Sequence, residues 1–166
     1  SESEKDYDIK VNNDGKITAV IPVRKGSTRC KNKNIRNFGD TNLLKLKIET
    51  LKKVKGIDRI LVSSNCNKML GIAKDMGVDI HKRKQKYCNT DTTGSDVFIE
   101  LAKNIDTQIL LYTHCVAPFT TVDSYEKAIK MFFDNPFGSL VSAKLLKEFI
   151  LYNNNSINYD LNNAPP

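Results

Sequence analysis

The sequence has no apolar run approaching the length of a membrane-spanning helix, and its first residues are acidic and polar, unlike a signal peptide. No membrane association is therefore expected, and a cytoplasmic chain is. Cysteine is sparse: Cys30, Cys66, Cys88 and Cys115 are scattered without a CxxC pair, and His81 and His114 are the sole histidines. That pattern argues against zinc and for reduced thiols. Missing too are an aromatic-plus-basic ribonucleoprotein stretch, a zinc finger and an Arg-rich arm, so nothing specific favours nucleic acid. Neither GxxxxGK[ST] nor GxGxxG occurs, which excludes the two best-known phosphate loops. No internal repeat or interdomain linker is visible.

What is present fits one domain, since 166 residues fall in the usual range of roughly 100–200 per domain. Residues 1–16 read as a flexible tail or short hairpin, with 17–166 as the folded domain. The net charge of +7 comes mostly from lysines spread along the chain. It suits a solvated surface or an anionic small molecule, and it also admits an RNA-binding basic domain as a third choice.

Ile17 to Val23 is a near-continuous apolar run rich in β-branched residues, as expected of a strand buried on both faces of a parallel sheet. Directly after it come Arg24, Lys25, Gly26, Ser27, Thr28, Arg29, Lys31 and Lys33. Glycine permits close backbone approach, hydroxyls offer hydrogen bonds and the cations attract a polyanion. In an open α/β sheet this loop lies where ligands bind, beyond the carboxyl ends of the strands. The residues therefore describe a phosphate-gripping loop, with a merely solvated basic loop as the competing account.

Further along, apolar residues at 44, 48, 51 and 54 mark a helix over 43–54 with its lysines outside, capped by Asp40 or Thr41. RILVS at 59–63 is a second strand, 68–76 a helix stopped by Gly77, and 78–81 a third strand. A helix over 97–105, a strand over 108–112 and a helix over 124–133 follow, then a fifth strand, SLVSA, at 139–143 and a hairpin within 149–159. Alternating strand and helix predict an α/β fold with a mainly parallel sheet and right-handed crossovers.

The pattern IPVRKGSTRCKNKN resembles the signature IPARxGSxxxxxKN of the sugar-nucleotide cytidylyltransferases, especially the acylneuraminate cytidylyltransferases (CMP-sialic acid synthetases) and relatives for similar acidic sugars. Ile21, Pro22, Arg24, Gly26, Ser27, Lys33 and Asn34 match in register. VSSN at 62–65, GVDIHKR at 77–83, TTGSD at 92–96 and YTHCVAP at 112–118 resemble later family segments, so the likeness runs over nearly all the chain from Ile17. It implies a three-layer α/β/α fold like that of nucleotide-diphosphosugar transferases. The implied reaction is attack of a sugar anomeric hydroxyl on the α-phosphate of CTP, giving a CMP-sugar and pyrophosphate.

By resemblance, Arg24 and Lys33 contact the triphosphate, helped by Ser27 and the Gly26 backbone, while Asn34 and Arg83 read the cytosine end. Ser95 is read either as a nucleotide contact or as a helix N-cap before Val97. His114 is read as part of the substrate loop or as a satisfied strand-end histidine. The resemblance also implies Mg²⁺, an acidic sugar substrate and a homodimer. Several positions depart from the family pattern. Thr28-Arg29 stand for Lys-Gly, His114 for glutamine and Asn65 for aspartate, and no acidic Mg²⁺-binding pair is identifiable before NNAPP. The expectation is a cytidylyltransferase domain lacking the family's C-terminal segment, with a non-catalytic nucleotide-binding or assembly module as the alternative.

Overall fold

The computed structural model describes residues 15–26, 32–89, 91–136, 138–143, 151–153 and 155–157. Its first strand, β1 (Ile17–Pro22), is buried almost throughout, as its apolar run requires. A 3₁₀ turn at Lys33–Ile35 and a small antiparallel pair, β2 (Asn37–Phe38) and β3 (Thr41–Asn42), lead into helix α1 (Leu43–Lys52). There follow β4 (Arg59–Ser64), α2 (Asn67–Asp75), β5 (Asp79–Lys82), a 3₁₀ turn at Gln85–Tyr87, α3 (Gly94–Asn104), β6 (Ile109–Tyr112) and α4 (Val122–Asp134). A two-residue hairpin pairs β7 (Leu151–Tyr152) with β8 (Asn155–Ser156).

The main sheet has the order β5-β4-β1-β6, and every pairing in it is parallel. The chain moves outward from β1 through β4 to β5, then returns to add β6 on the other side of β1. With right-handed crossovers, that reversal must put the connecting helices on opposite faces. It does. Ala19, Ile21 and Val23 pack with Leu44, Ile48 and Leu51 of α1, Met69 and Ala73 of α2, and Tyr125 of α4. On the other face, Val20 and Leu61 pack with Val97 and Leu101 of α3. The result is a sheet between two helical layers, with the switch point between β1 and β6.

Local chemistry accounts for most helix ends. Asn42, and neither Asp40 nor Thr41, caps α1: its Oδ1 accepts from the Lys45 N–H at 3.0 Å, because the strand pair β2–β3 brings the extended residue directly before the helix to Asn42. Thr93, and not Ser95, caps α3, which starts three residues earlier than its apolar periodicity indicated. Gly77 ends α2 at φ +70°, a backbone conformation that glycine takes without strain.

Two further expectations are corrected. Residues 139–143 form no strand, since a strand needs a hydrogen-bonded neighbour and none of the described strands supplies one. Val141 there is 81% exposed. The lysines of α1 are not all outside: Lys47, at the same helical face as Leu44, Ile48 and Leu51, is 1% exposed. The flexible tail or short hairpin expected over 1–16 lies, up to residue 14, outside the described residues.

Candidate functional site

A parallel sheet delivers all its strand-to-helix loops to one end. Here these are the segments after β1 (23–26), β4 (65–66), β5 (83–93) and β6 (113–121), joined by the N-terminus of α3. Two of the cations expected to act converge there. Arg83 is 5% exposed; its Nη2 donates to the Val23 carbonyl at 2.9 Å and its Nε to the Cys88 sulfur at 3.2 Å. Its own N–H donates to the Ser64 carbonyl, prolonging the β4–β5 ladder by one step. Half-buried Arg24 donates from Nη1 to the Cys88 carbonyl at 3.1 Å. Both guanidinium groups thus end on one residue, and the loops after β1 and β5 are tied together across the end of β4.

Asn65 completes the tie. Its side-chain oxygen accepts from the Lys25 N–H at 3.1 Å and its amide nitrogen donates to Gln85 Oε1 at 3.0 Å. Gly26 follows at φ +97° with open space where a Cβ would stand, so its backbone conformation is what demands glycine there. Ser27 lies outside the described residues. Lys33 is exposed and Asn34 half-buried on the 3₁₀ turn beyond that gap, where Ile35 packs onto the core and fixes the turn.

The other wall is aromatic. The Tyr112 ring stacks tilted on Phe98 at 4.4 Å between centroids and meets His114 edge-on at 4.9 Å. Burial raises the Tyr112 phenol above its ordinary value, partly opposed by the Arg83 charge, and burial lowers the His114 imidazole, favouring its neutral form. Ser95 is exposed in the first turn of α3, beside Thr93 and Asp96, whose reciprocal hydrogen bonds form a capping box.

Beneath this end lie polar groups that sequence reasoning did not single out. His81 Nδ1 meets Ser63 Oγ at 3.1 Å and its Nε2 lies 3.4 Å from Glu100 Oε1, a carboxylate buried under α3. Cys88 gave no signal as a joint because its role depends on Arg24, 64 positions away, meeting the same residue as the nearby Arg83. Lys47 could have been found: 44, 47, 48 and 51 share one helical face.

The resemblance implies Mg²⁺, an ion that at nucleotide sites is held by one or two carboxylates together with phosphate oxygens. Among the described residues no group of three or more His, Cys, Asp or Glu is placed to hold a metal ion. Asp96 is engaged with Thr93, and Glu100 with His81. Two surface concavities, one lined by Lys52, Arg59 and Asp79 and the other by Lys16, Thr18 and Gln108, sit at the amino ends of the strands, away from the paired arginines. Ligands of open α/β sheets bind at the carboxyl end, so the site is placed there.

A family model described as Cytidylyltransferase matches residues 18–162. The chain belongs to the cytidylyltransferase family. Among its relatives, the N-acylneuraminate cytidylyltransferase of Escherichia coli is 29% identical over 119 residues, covering 70% of this chain and 28% of that protein. The pseudaminic acid cytidylyltransferase of Campylobacter jejuni is 26% identical over 153 residues, covering 86% and 66%. A solved CMP:2-keto-3-deoxy-manno-octonic acid synthetase complexed with CTP superposes with a TM-score of 0.63 at 18% identity, over 74% of this chain and 49% of that one. This last likeness establishes the cytidylyltransferase fold. The chain spans about half the length, or less, of the first curated relatives it matches (52%, 28% and 47%). No helix among the described residues is long and apolar enough to cross a membrane.

Proposed function

We propose that the carboxyl end of this sheet binds CTP and that the protein transfers its cytidylyl group to an acidic sugar of the sialic acid or 2-keto-3-deoxy acid class. The observation that carries this is the meeting of Arg24 and Arg83 on Cys88 beside the β1–β6 switch point. It gathers fixed positive charge at the place where an open α/β sheet takes its ligand.

In the reaction, the anomeric hydroxyl oxygen bonds to the α-phosphorus and loses its proton, the bond from that phosphorus to the bridging oxygen breaks, and pyrophosphate leaves with the electron pair. Negative charge grows on the leaving group, so prepositioned donors stabilise the transition state more than the ground state. Arg24 and Lys33 take that role, with the Gly26 backbone and Ser27 lining the phosphates. Asn34 and Ser95 are assigned to the nucleoside, with Arg83, buried against Val23 and Cys88, supporting that end from beneath. His114 is assigned to the substrate loop as an uncharged hydrogen-bonding group.

Pyrophosphate release from CTP in the presence of Mg²⁺ and a panel of acidic 2-keto-3-deoxy sugars tests the proposal; silence with every sugar overturns turnover. A second account is a nucleotide-binding module without chemistry. Calorimetry showing CTP binding without turnover would select it.

A further inference from the structure

The loop after β6 has little of its own to hold it. Its two internal backbone bonds, Ala117 N–H to the His114 carbonyl at 3.5 Å and Thr120 N–H to the Ala117 carbonyl at 3.4 Å, sit at the weak limit of hydrogen bonding. Ala117 is the joint between those two turns. Its carbonyl oxygen also accepts from Lys47 Nζ, at 2.8 Å. The same ammonium donates to the Tyr125 hydroxyl at 2.7 Å, and that hydroxyl lies 2.7 Å from Thr113 Oγ1. Because an ammonium only donates, the Tyr125 oxygen accepts from it and its proton is free for Thr113. One lysine on α1 therefore secures the middle of the loop directly and its first residue through α4.

This is a costly way to fill the space. Lys47 is almost wholly buried, and no carboxylate forms an ion pair with it among the described residues. The nearby Cys115 thiol is held neutral by burial and offers no counter-charge. A buried ammonium without an anionic partner works against folding, and methionine would fill the same volume without that penalty. Packing does not explain the choice. Holding a loop carbonyl in place does.

We propose that Lys47 is a positioning residue: it fixes the loop at 113–121 as one wall of the nucleotide crevice. The consequence for ligand rests on the reading that this crevice takes CTP; the consequence for the loop does not.

The experiment compares the wild-type chain with Lys47→Met, Tyr125→Phe and a neighbouring core control, Ile48→Val, by amide hydrogen exchange without ligand and by calorimetry with CTP. Lys47→Met is expected to speed exchange at Ala117 and Thr120 by about tenfold or more relative to the control. It should also weaken CTP by about tenfold, as loss of one charge-assisted bond implies. Tyr125→Phe should loosen the same amides by less, and it supplies the measurement if Lys47→Met does not fold. Unchanged loop exchange in whichever of these variants folds overturns the inference, as does equal loosening in Ile48→Val. A wild-type chain that binds no CTP instead sinks the proposed function, while the exchange data still decide the role of Lys47.

Discussion

The Arg83 guanidinium donates to the Val23 carbonyl at 2.9 Å, so the residue that leaves β5 fixes the residue that leaves β1, with β4 between them. A planar fork suits this task because one side chain addresses the Val23 carbonyl and the Cys88 sulfur together. Removing it strands a buried acceptor. Arg83→Met should lower stability by about 1–3 kcal/mol, read from urea unfolding. Arg83→Lys should recover only part of this, since an ammonium cannot reproduce the fork.

Arg24 is expected to separate the other way. It is half-buried and its assigned bond is to a backbone carbonyl, so Arg24→Ala should cost only about 0.5–1.5 kcal/mol of stability. Pyrophosphate release should fall by roughly 10²–10³-fold, the loss typical of one preorganised donor. A variant as active as wild type would remove Arg24 from the site.

The cap of α3 gives a pH signature. Hydrogen bonds from the Thr93 side chain and backbone hold the Asp96 carboxyl below its ordinary value of about 3.9. A depressed folded value means that the stabilisation is present above the unfolded value and is lost as pH falls through the folded one. Helical fraying of α3, followed by NMR of Val97 and Phe98, should therefore begin only below about pH 4. Thr93→Ala should fray it at neutral pH, with a loss of about 1 kcal/mol.

Cysteine labelling offers a check on burial. Burial pushes the Cys115 thiol up to about 12, the Lys47 charge offsetting part of the rise. In the native protein at pH 8 it should resist iodoacetamide, while half-buried Cys66 reacts faster than it does. Its stabilising contribution is complete below the unfolded thiol value of about 8.5 and is lost as pH rises toward the folded one. Rapid native labelling of Cys115 would contradict the packing of the loop after β6.

Much of this architecture was legible in the residues themselves. The apolar, β-branched run at 17–23 suited a strand covered on both faces, and Gly77 could end α2 because its backbone geometry is local. The basic loop, with Arg24 and Gly26 directly after that strand, was readable because its residues are neighbours in sequence. Tertiary structure alone decided the rest. That Arg83 clamps Val23, that Cys88 joins two arginines and that Lys47 lies under Ala117 are contacts across 60, 64 and 70 positions of chain. Side-chain periodicity reports which face of an element is apolar; it does not report which distant carbonyl a long cationic side chain will meet once the sheet has chosen its strand order.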